Sequence, residues 1–123
     1  MSKTQNPKIY DLEERTFLFA KRCRDLMKKI PKNISNFEYA KQLIKSSGSV
    51  GANYIEANDS ISKKDFSHRI KICRKEAKES RYWLGLLEAG ESPELKGEQG
   101  ELIQEALEMT KIFYSIMEKS KSF

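Results

Sequence analysis

Between Phe66 and Leu87, apolar and small residues recur at alternating steps of four and three. The positions are Phe66, Ile70, Cys73, Ala77, Ser80, Leu84 and Leu87. Such a stripe lies on one face of an α-helix, and its strict heptad spacing favours packing against neighbouring helices at a shallow crossing angle. The cap-like pair Ser62 and Asp65 predicts the start of this helix, and Gly90 predicts its end, which gives a helix over residues 63–89.

Two helices with their own start signals are predicted before this stripe. Asp11, followed three residues later by a glutamate, is typical of an N-terminal cap, and Pro31 ends the apolar pattern that follows. This predicts a helix over about residues 11–30. Ser35 and a glutamate three residues later form a second capping box, which predicts a helix over about residues 36–57.

The last apolar pattern predicts a fourth helix over about residues 101–119, after a loop over 91–100 that is rich in glycine and proline. No segment alternates with the period of two that is typical of a strand. The sequence therefore predicts an all-α chain that folds as one domain over residues 1–123, an up-down-up-down antiparallel four-helix bundle. A three-helix core with an appended helix is the alternative.

The composition is that of a folded chain without membrane or secretion signals. Among the 123 residues, six Phe, five Tyr and one Trp are too many aromatic side chains for a disordered polymer. No apolar run approaches the roughly 18 residues that a membrane span requires, and Met1 to Tyr10 contains no apolar signal segment. Cys23 and Cys73 lie in apolar helical patterns, which indicates buried thiols in a reducing compartment. We therefore expect a cytoplasmic protein without membrane contact.

The net charge of +5 is unevenly distributed along the chain. Residues 1–34 and 63–90 are basic, whereas residues 91–123 are acidic. This distribution suits a polyanion bound to one surface, and it equally suits contacts between basic and acidic helices or subunits. The charge pattern alone does not choose between these two interpretations.

Two stretches of the sequence resemble a known family. Residues 42–57 are similar to the family's pattern of Gln-Leu, a basic residue, small residues, Ser-Val and then Asn. Residues 62–66, 70–72 and 75–84 resemble the long third helix of the bacterial four-helix bundle family first noticed in intervening sequences of 23S ribosomal RNA genes. That family is sometimes labelled an S23 ribosomal protein, and it is similar to the accessory variability determinant proteins of diversity-generating retroelements.

The resemblance covers roughly residues 9–120, and it departs from the family pattern at Gly51, Tyr54, Ile55 and Ala57. It implies a four-helix protomer, often assembled into a ring-shaped homopentamer, with no established catalytic activity. It also implies an association with nucleic acid and a nucleic-acid enzyme, such as a reverse transcriptase, as a partner.

Basic side chains form a ridge on the third helix, opposite its core stripe. The ridge consists of Lys64, His68, Lys71, Lys75 and Lys78. Ammonium groups about one turn apart can follow a phosphate backbone and displace its counterions, which predicts contact with RNA or DNA. Helix one adds Lys21, Arg22 and Arg24, but no aromatic residue interleaves with either basic set, so backbone-directed binding is expected. The alternative is an ordinary solvated face, with Lys75 and Glu79 as a routine pair.

An outward apolar cluster is predicted near the end of the third helix. It consists of Ile72, Tyr82, Trp83 and Leu86. Aromatic residues favour buried patches between proteins, which predicts a subunit interface here. The alternative is that helix four or the 91–100 loop covers the cluster.

Four polar residues on helices two and three match positions of the family pattern: Asn53, Glu56, Arg69 and Arg81. A carboxylate with an arginine partner is tolerated at a core edge or an interface where neither group is tolerated alone. We hypothesise that Glu56 pairs with Arg81 or Arg69. The alternative is two unrelated surface charges.

No arrangement of side chains predicts catalysis. Asp65 and His68 have the spacing of a di-iron helix, but such sites need two of these motifs, and the chain contains one histidine, which points outward. A nucleophilic thiolate would be costly at the core positions of the cysteines. The sequence therefore predicts a non-enzymatic, homo-oligomeric scaffold without metal or cofactor, whose basic surface contacts nucleic acid. A protein-binding adaptor without nucleic-acid binding is the alternative.

Overall fold

The computed structural model describes residues 11–121, which form four α-helices and contain no strand. In chain order these are α1 (Leu12–Lys29), α2 (Ile34–Asn58), α3 (Lys63–Leu86) and α4 (Pro93–Lys121). The predicted all-α class is confirmed. Residues 1–10, which were expected to lack a signal segment, lie outside the described residues.

The four helices form a closed ring of neighbours. Each helix packs against the next in the chain, and α1 also packs against α4, which is the least extensive of the four contacts. The connections span only a few residues, so consecutive helices run antiparallel, as predicted for an up-down-up-down bundle. In such a ring α1 and α3 occupy diagonal positions, and their outward faces lie on opposite sides of the protomer.

The apolar stripes of all four helices meet in one core. Its largest fully buried side chains include Phe19, Leu26, Leu43, Ile70, Leu84, Leu102, Met109 and Phe113. Small residues on α2 allow two close helix approaches: Gly51 faces Thr16 of α1, and Ser46 accepts a buried hydrogen bond of 2.9 Å from Ser80 of α3. At Gly51 and Ser46, α2 thus has residues of low helix propensity that allow a neighbouring helix to pack closely.

The helix starts follow local capping chemistry, with one displacement. The hydroxyl of Ser62 accepts a hydrogen bond of 3.0 Å from the Asp65 amide at the start of α3, as predicted. Helix α2 begins earlier than predicted because Asn33, not Ser35, is its cap, and its side chain accepts a bond of 2.8 Å from the Asn36 amide. Asp11 precedes α1 but makes no capping hydrogen bond with its side chain.

Helix α4 begins at Pro93 rather than near residue 101, so the predicted loop over 91–100 is wrong. Proline fits the first turn of a helix, where its missing N–H is not needed, and the Ser92 hydroxyl accepts a hydrogen bond of 3.2 Å from the Leu95 amide. Helix α3 correspondingly ends at Leu86, and the chain turns at Gly90, whose φ is +80°.

A buried asparagine joins the α1–α2 turn to the end of α3. The Asn36 side chain donates to the carbonyls of Pro31 and Glu88, both at 2.9 Å, and its oxygen accepts from the Glu88 amide at 2.8 Å. The Asn36 side chain thus forms hydrogen bonds with three backbone groups that lie outside the helices.

Candidate interaction surfaces

The predicted basic ridge lies on the outward face of α3, and each of its five side chains is exposed. Lys75 lies 3.6 Å from Glu76 and 3.8 Å from Glu79. Within residues 11–121, no ion pair engages Lys64, Lys71 or Lys78. The ridge therefore presents uncompensated positive charge to solvent.

The basic residues of α1 divide into two groups, one of which faces α4. That group forms a row of ion pairs along the α1–α4 contact. The contacts are Arg15 Nε to Glu105 Oε2 at 2.6 Å, Arg15 Nη2 to Glu108 Oε1 at 3.0 Å, Arg22 Nη2 to Glu101 Oε1 at 2.7 Å and Lys29 Nζ to Glu98 Oε1 at 3.5 Å. Hydrogen bonding to Glu105 raises the pKa of Arg15. Basic side chains of α1 thus pair with acidic side chains of α4. Arg22, a predicted nucleic-acid contact, is one of these paired side chains.

The second group of α1, Lys21, Arg24 and Lys28, is exposed on the side away from α4. Because α1 and α3 are diagonal in the bundle, these side chains and the α3 ridge do not form one continuous surface. The protomer therefore carries two separate basic surfaces.

Aromatic residues do interleave with the basic side chains of α1, contrary to expectation. Phe17 is 62% exposed, and Phe37 of α2 is 64% exposed. Phe17 shares a face of α1 with Arg24, seven residues later, and Arg24 borders the same depression as Phe37. The α1–α2 face is defined by these rings and the exposed residues around them: Phe17, Lys21, Arg24 and Lys28 of α1, Lys32 of the turn, and Phe37, Lys41 and Ile44 of α2. The spacing of Phe17, Lys21 and Arg24 in the sequence already places these three side chains on one face of α1. That Phe37 of α2 lies beside this face follows only from the packing of α1 against α2.

The predicted apolar cluster at the end of α3 is only partly free. Tyr82 is 63% exposed, whereas Trp83 is half-buried, with its ring centroid 6.1 Å from that of Tyr39 on α2. Ile72 is half-buried as well, and Leu86 is exposed. The cover over Trp83 thus comes from α2, and Tyr82 and Leu86 remain available to a partner.

These two residues border an open groove of about 1000 Å³ between α3 and α4. Its walls include Ile103 and three cationic side chains, Arg74, Lys78 and Arg81. The Arg74 guanidinium lies 5.1 Å from the ring centroid of Tyr114, and its buried Nε has no hydrogen-bond partner among residues 11–121. The groove therefore combines apolar surface with positive charge.

The hypothesised pairing of Glu56 with Arg81 or Arg69 does not form within the described part of the protomer. Arg69 instead donates to the side-chain oxygen of Asn53 at 3.1 Å. In the antiparallel α2–α3 pair, Ser80 lies beside Ser46, so Arg81 is about ten residues, or roughly 15 Å, from the level of Glu56. The register of the two helices thus excludes Arg81, whereas Arg69 lies near the level of Glu56 but bonds to Asn53.

Within residues 11–121, no group of three or more His, Cys, Asp or Glu side chains could hold a metal ion, and no helix is long and apolar enough to cross a membrane. Cys23 and Cys73 are buried, and desolvation raises the pKa of each thiol to about 12. Both thiols are therefore neutral at physiological pH and poor nucleophiles.

Two comparisons with known proteins indicate the same family. A family model described as 23S rRNA-intervening sequence protein matches residues 10–115. The crystal structure of a protein with unknown function from the S23 ribosomal protein family of Bacteroides thetaiotaomicron VPI-5482 is also similar. The two sequences are 32% identical, and the match covers 85% of this chain and 96% of the solved chain. The two structures superpose with a TM-score of 0.72. No curated protein sequence matches the chain.

Proposed function

The chain belongs to the 23S rRNA-intervening sequence protein family, and from that premise we propose a non-enzymatic, homo-oligomeric helical scaffold whose basic surface contacts RNA or DNA. The resemblance seen in helices two and three is thereby confirmed. Since the solved relative is itself described as a protein with unknown function, the proposal rests on the surfaces of this chain.

The observation that carries the proposal is the α3 ridge. Lys64, Lys71 and Lys78 are exposed, and within residues 11–121 none of them has an ion-pair partner. They follow one another at intervals of seven residues, which is about 10 Å along a helix. Lysines that are not neutralised within the protein gain most from a polyanion, because each phosphate contact releases condensed counterions.

The groove between α3 and α4 supports self-association. Tyr82 and Leu86 present apolar surface at its edge, and exposed aromatic residues of this kind are enriched in protein interfaces. A ring such as the pentamer implied by the resemblance would repeat the α3 ridge in every subunit and raise the avidity for a long strand. A nucleic-acid enzyme, such as a reverse transcriptase, would then share the strand with the scaffold.

The ridge is tested by replacing Lys64, Lys71 and Lys78 with glutamine and measuring nucleic-acid binding by mobility shift across a salt series. We expect the slope of log affinity against log salt to fall in magnitude by about 2 to 3, because three phosphate contacts are lost. A control variant carries the same charge change on α4, at Lys96, Lys111 and Lys119, and should keep the native slope. Absence of binding by the native protein even at low salt would favour the protein-binding adaptor.

Self-association is tested by light scattering. We expect the native protein to exceed its chain mass of 14.3 kDa several-fold, and the double variant Tyr82→Ser, Leu86→Ser to shift toward the monomer because it removes apolar interface area. Ile61→Ser, in the α2–α3 turn, is the control for an exposed apolar residue outside the groove. A native protein that is monomeric at every concentration would contradict the scaffold proposal.

A further inference from the structure

We propose that the α1–α2 face binds single-stranded nucleic acid, with bases packed on the exposed rings of Phe17 and Phe37 and phosphates beside the surrounding cations. The inference rests on the proposed function, and it names the class of nucleic acid and a second contact surface. That surface lies on α1 and α2, whereas the ridge lies on the outward face of α3, the helix diagonal to α1.

Both rings are exposed and each has a cation beside it. The ammonium of Lys21 lies 5.7 Å from the ring centroid of Phe17, and that of Lys41 lies 4.8 Å from the ring centroid of Phe37. Exposed rings flanked by cations are the arrangement that single-strand binding proteins use, since a base stacks on the ring while the adjacent phosphate meets the charge.

The surface beside Phe37 is concave. Two adjoining depressions of about 560 and 470 Å³ share the side chains of Met27, Lys32, Phe37 and Ala40. Pockets of this size accommodate small aromatic ligands, so each is large enough for a nucleobase. Their walls are mostly apolar, whereas Arg24, Lys28 and Lys41 stand around the second depression.

Charge favours a polyanion as the occupant. From Phe17 to Lys45, the sequence contains only two carboxylates, Asp25 and Glu38. Each is already close to a cation: Asp25 lies 3.0 Å from Arg24, and Glu38 lies 3.4 Å from Lys41. A second copy could offer the same basic face or its acidic α4, but the α4 carboxylates of Glu98, Glu101, Glu105 and Glu108 already pair with α1, so charge complementarity favours nucleic acid over self-contact.

A single strand fits this face better than a duplex. In a duplex the bases are stacked on one another and their planes are not accessible, so the two phenylalanines would remain exposed and only the cations would contribute. Phe17 lies ten residues before Met27, and therefore about 15 Å from the Phe37 depressions along α1. A strand with several unpaired nucleotides can span that distance and cover both rings.

The test measures fluorescence anisotropy of labelled dT20, U20 and a 20-base-pair duplex with the native protein and the Phe17→Leu, Phe37→Leu variant. Leucine keeps an apolar side chain and removes the flat ring. Since base–aromatic stacking contributes on the order of 1–3 kcal/mol per base, we expect single-strand affinity to fall at least about tenfold, with duplex affinity unchanged within about twofold. Tyr114→Leu replaces an exposed aromatic residue on α4 and should leave both affinities unchanged.

Three results would overturn the proposal. The first is a native protein with no preference for single strands, and the second is an equal loss, or no loss, of both affinities in the phenylalanine variant. The third is dissociation of the oligomer in that variant with nucleic-acid binding unchanged, which would assign the face to protein contact. The α3 ridge is tested by its own variant at Lys64, Lys71 and Lys78, so the two proposals fail separately. The melting temperature of the variant controls for folding.

Discussion

The Asn36→Ala variant is expected to lose about 3 kcal/mol of unfolding free energy, because three partly buried backbone groups then lack their partner, at about 1 kcal/mol each. The groups are the carbonyls of Pro31 and Glu88 and the amide of Glu88. Urea unfolding followed by circular dichroism measures the change. A loss below about 1 kcal/mol would mean that water replaces the amide without cost.

Two further variants test whether the lost hydrogen bonds of Asn36 cause the destabilisation. Asn36→Asp keeps an oxygen for the Glu88 amide but places a carboxylate beside two carbonyls, so it should be at least as destabilised as the alanine variant. Asn58→Ala removes an exposed asparagine that donates to Glu13 at 3.0 Å, and it should change the stability by less than about 0.5 kcal/mol.

The Gly51→Val variant is expected to lose about 2 to 3 kcal/mol through overpacking of α1 against α2. A Cβ atom at Gly51 would lie 2.9 Å from Oγ1 and 3.2 Å from Cβ of Thr16. The Thr16 side chain cannot easily yield, since its hydroxyl donates to the carbonyl of Leu12 at 2.8 Å and it is almost completely buried. Thermal and urea unfolding measure the loss.

Gly48, one turn earlier on the same helix, supplies the matched control. Beyond the adjacent backbone of α2, no heavy atom of residues 11–121 lies within 4 Å of a Cβ built there, so Gly48→Val should fall within about 0.5 kcal/mol of the native protein, with a small gain in helix propensity. Adding Thr16→Ala to Gly51→Val should restore part of the lost stability. Equal effects of the two valine substitutions would show that helix propensity, and not the contact with α1, determines the response at Gly51.

Most of the fold was predictable because it follows from local chemistry. The spacing from Phe66 to Leu87 locates the buried face of α3, and the Ser62 hydroxyl starts that helix as expected. The start of α4 was not predicted, since Gly97 and Gly100 lower helix propensity over this segment. Both are exposed, and the glutamates of this turn are held by ion pairs to α1, a contribution that the local sequence does not reveal.

The candidate surfaces were also predictable only where they depend on a single helix. The α3 ridge belongs to one helix, so its phase alone places the lysines outward. The α1–α2 face, the α1–α4 ion pairs and the Arg69–Asn53 bond each require two helices in a particular register. Register depends on packing across the whole bundle, so the sequence could not show that Arg81 lies far from Glu56 or that Arg69 bonds to Asn53.

The α1–α4 row of ion pairs implies a direction of fraying. At one end of the row, the mostly buried Arg15 side chain pairs with two glutamates. The pairs of Arg22 and Lys29 are more exposed, and the Lys29 pair is also longer. Salt screens exposed charges more than buried ones, so rising ionic strength should loosen the bundle first where α1 ends and α4 begins. At that same end Asn36 ties the chain to α3 through uncharged hydrogen bonds. At high salt we therefore expect α1 to separate from α4 at this end of the bundle, while Asn36 keeps the α1–α2 turn attached to the end of α3.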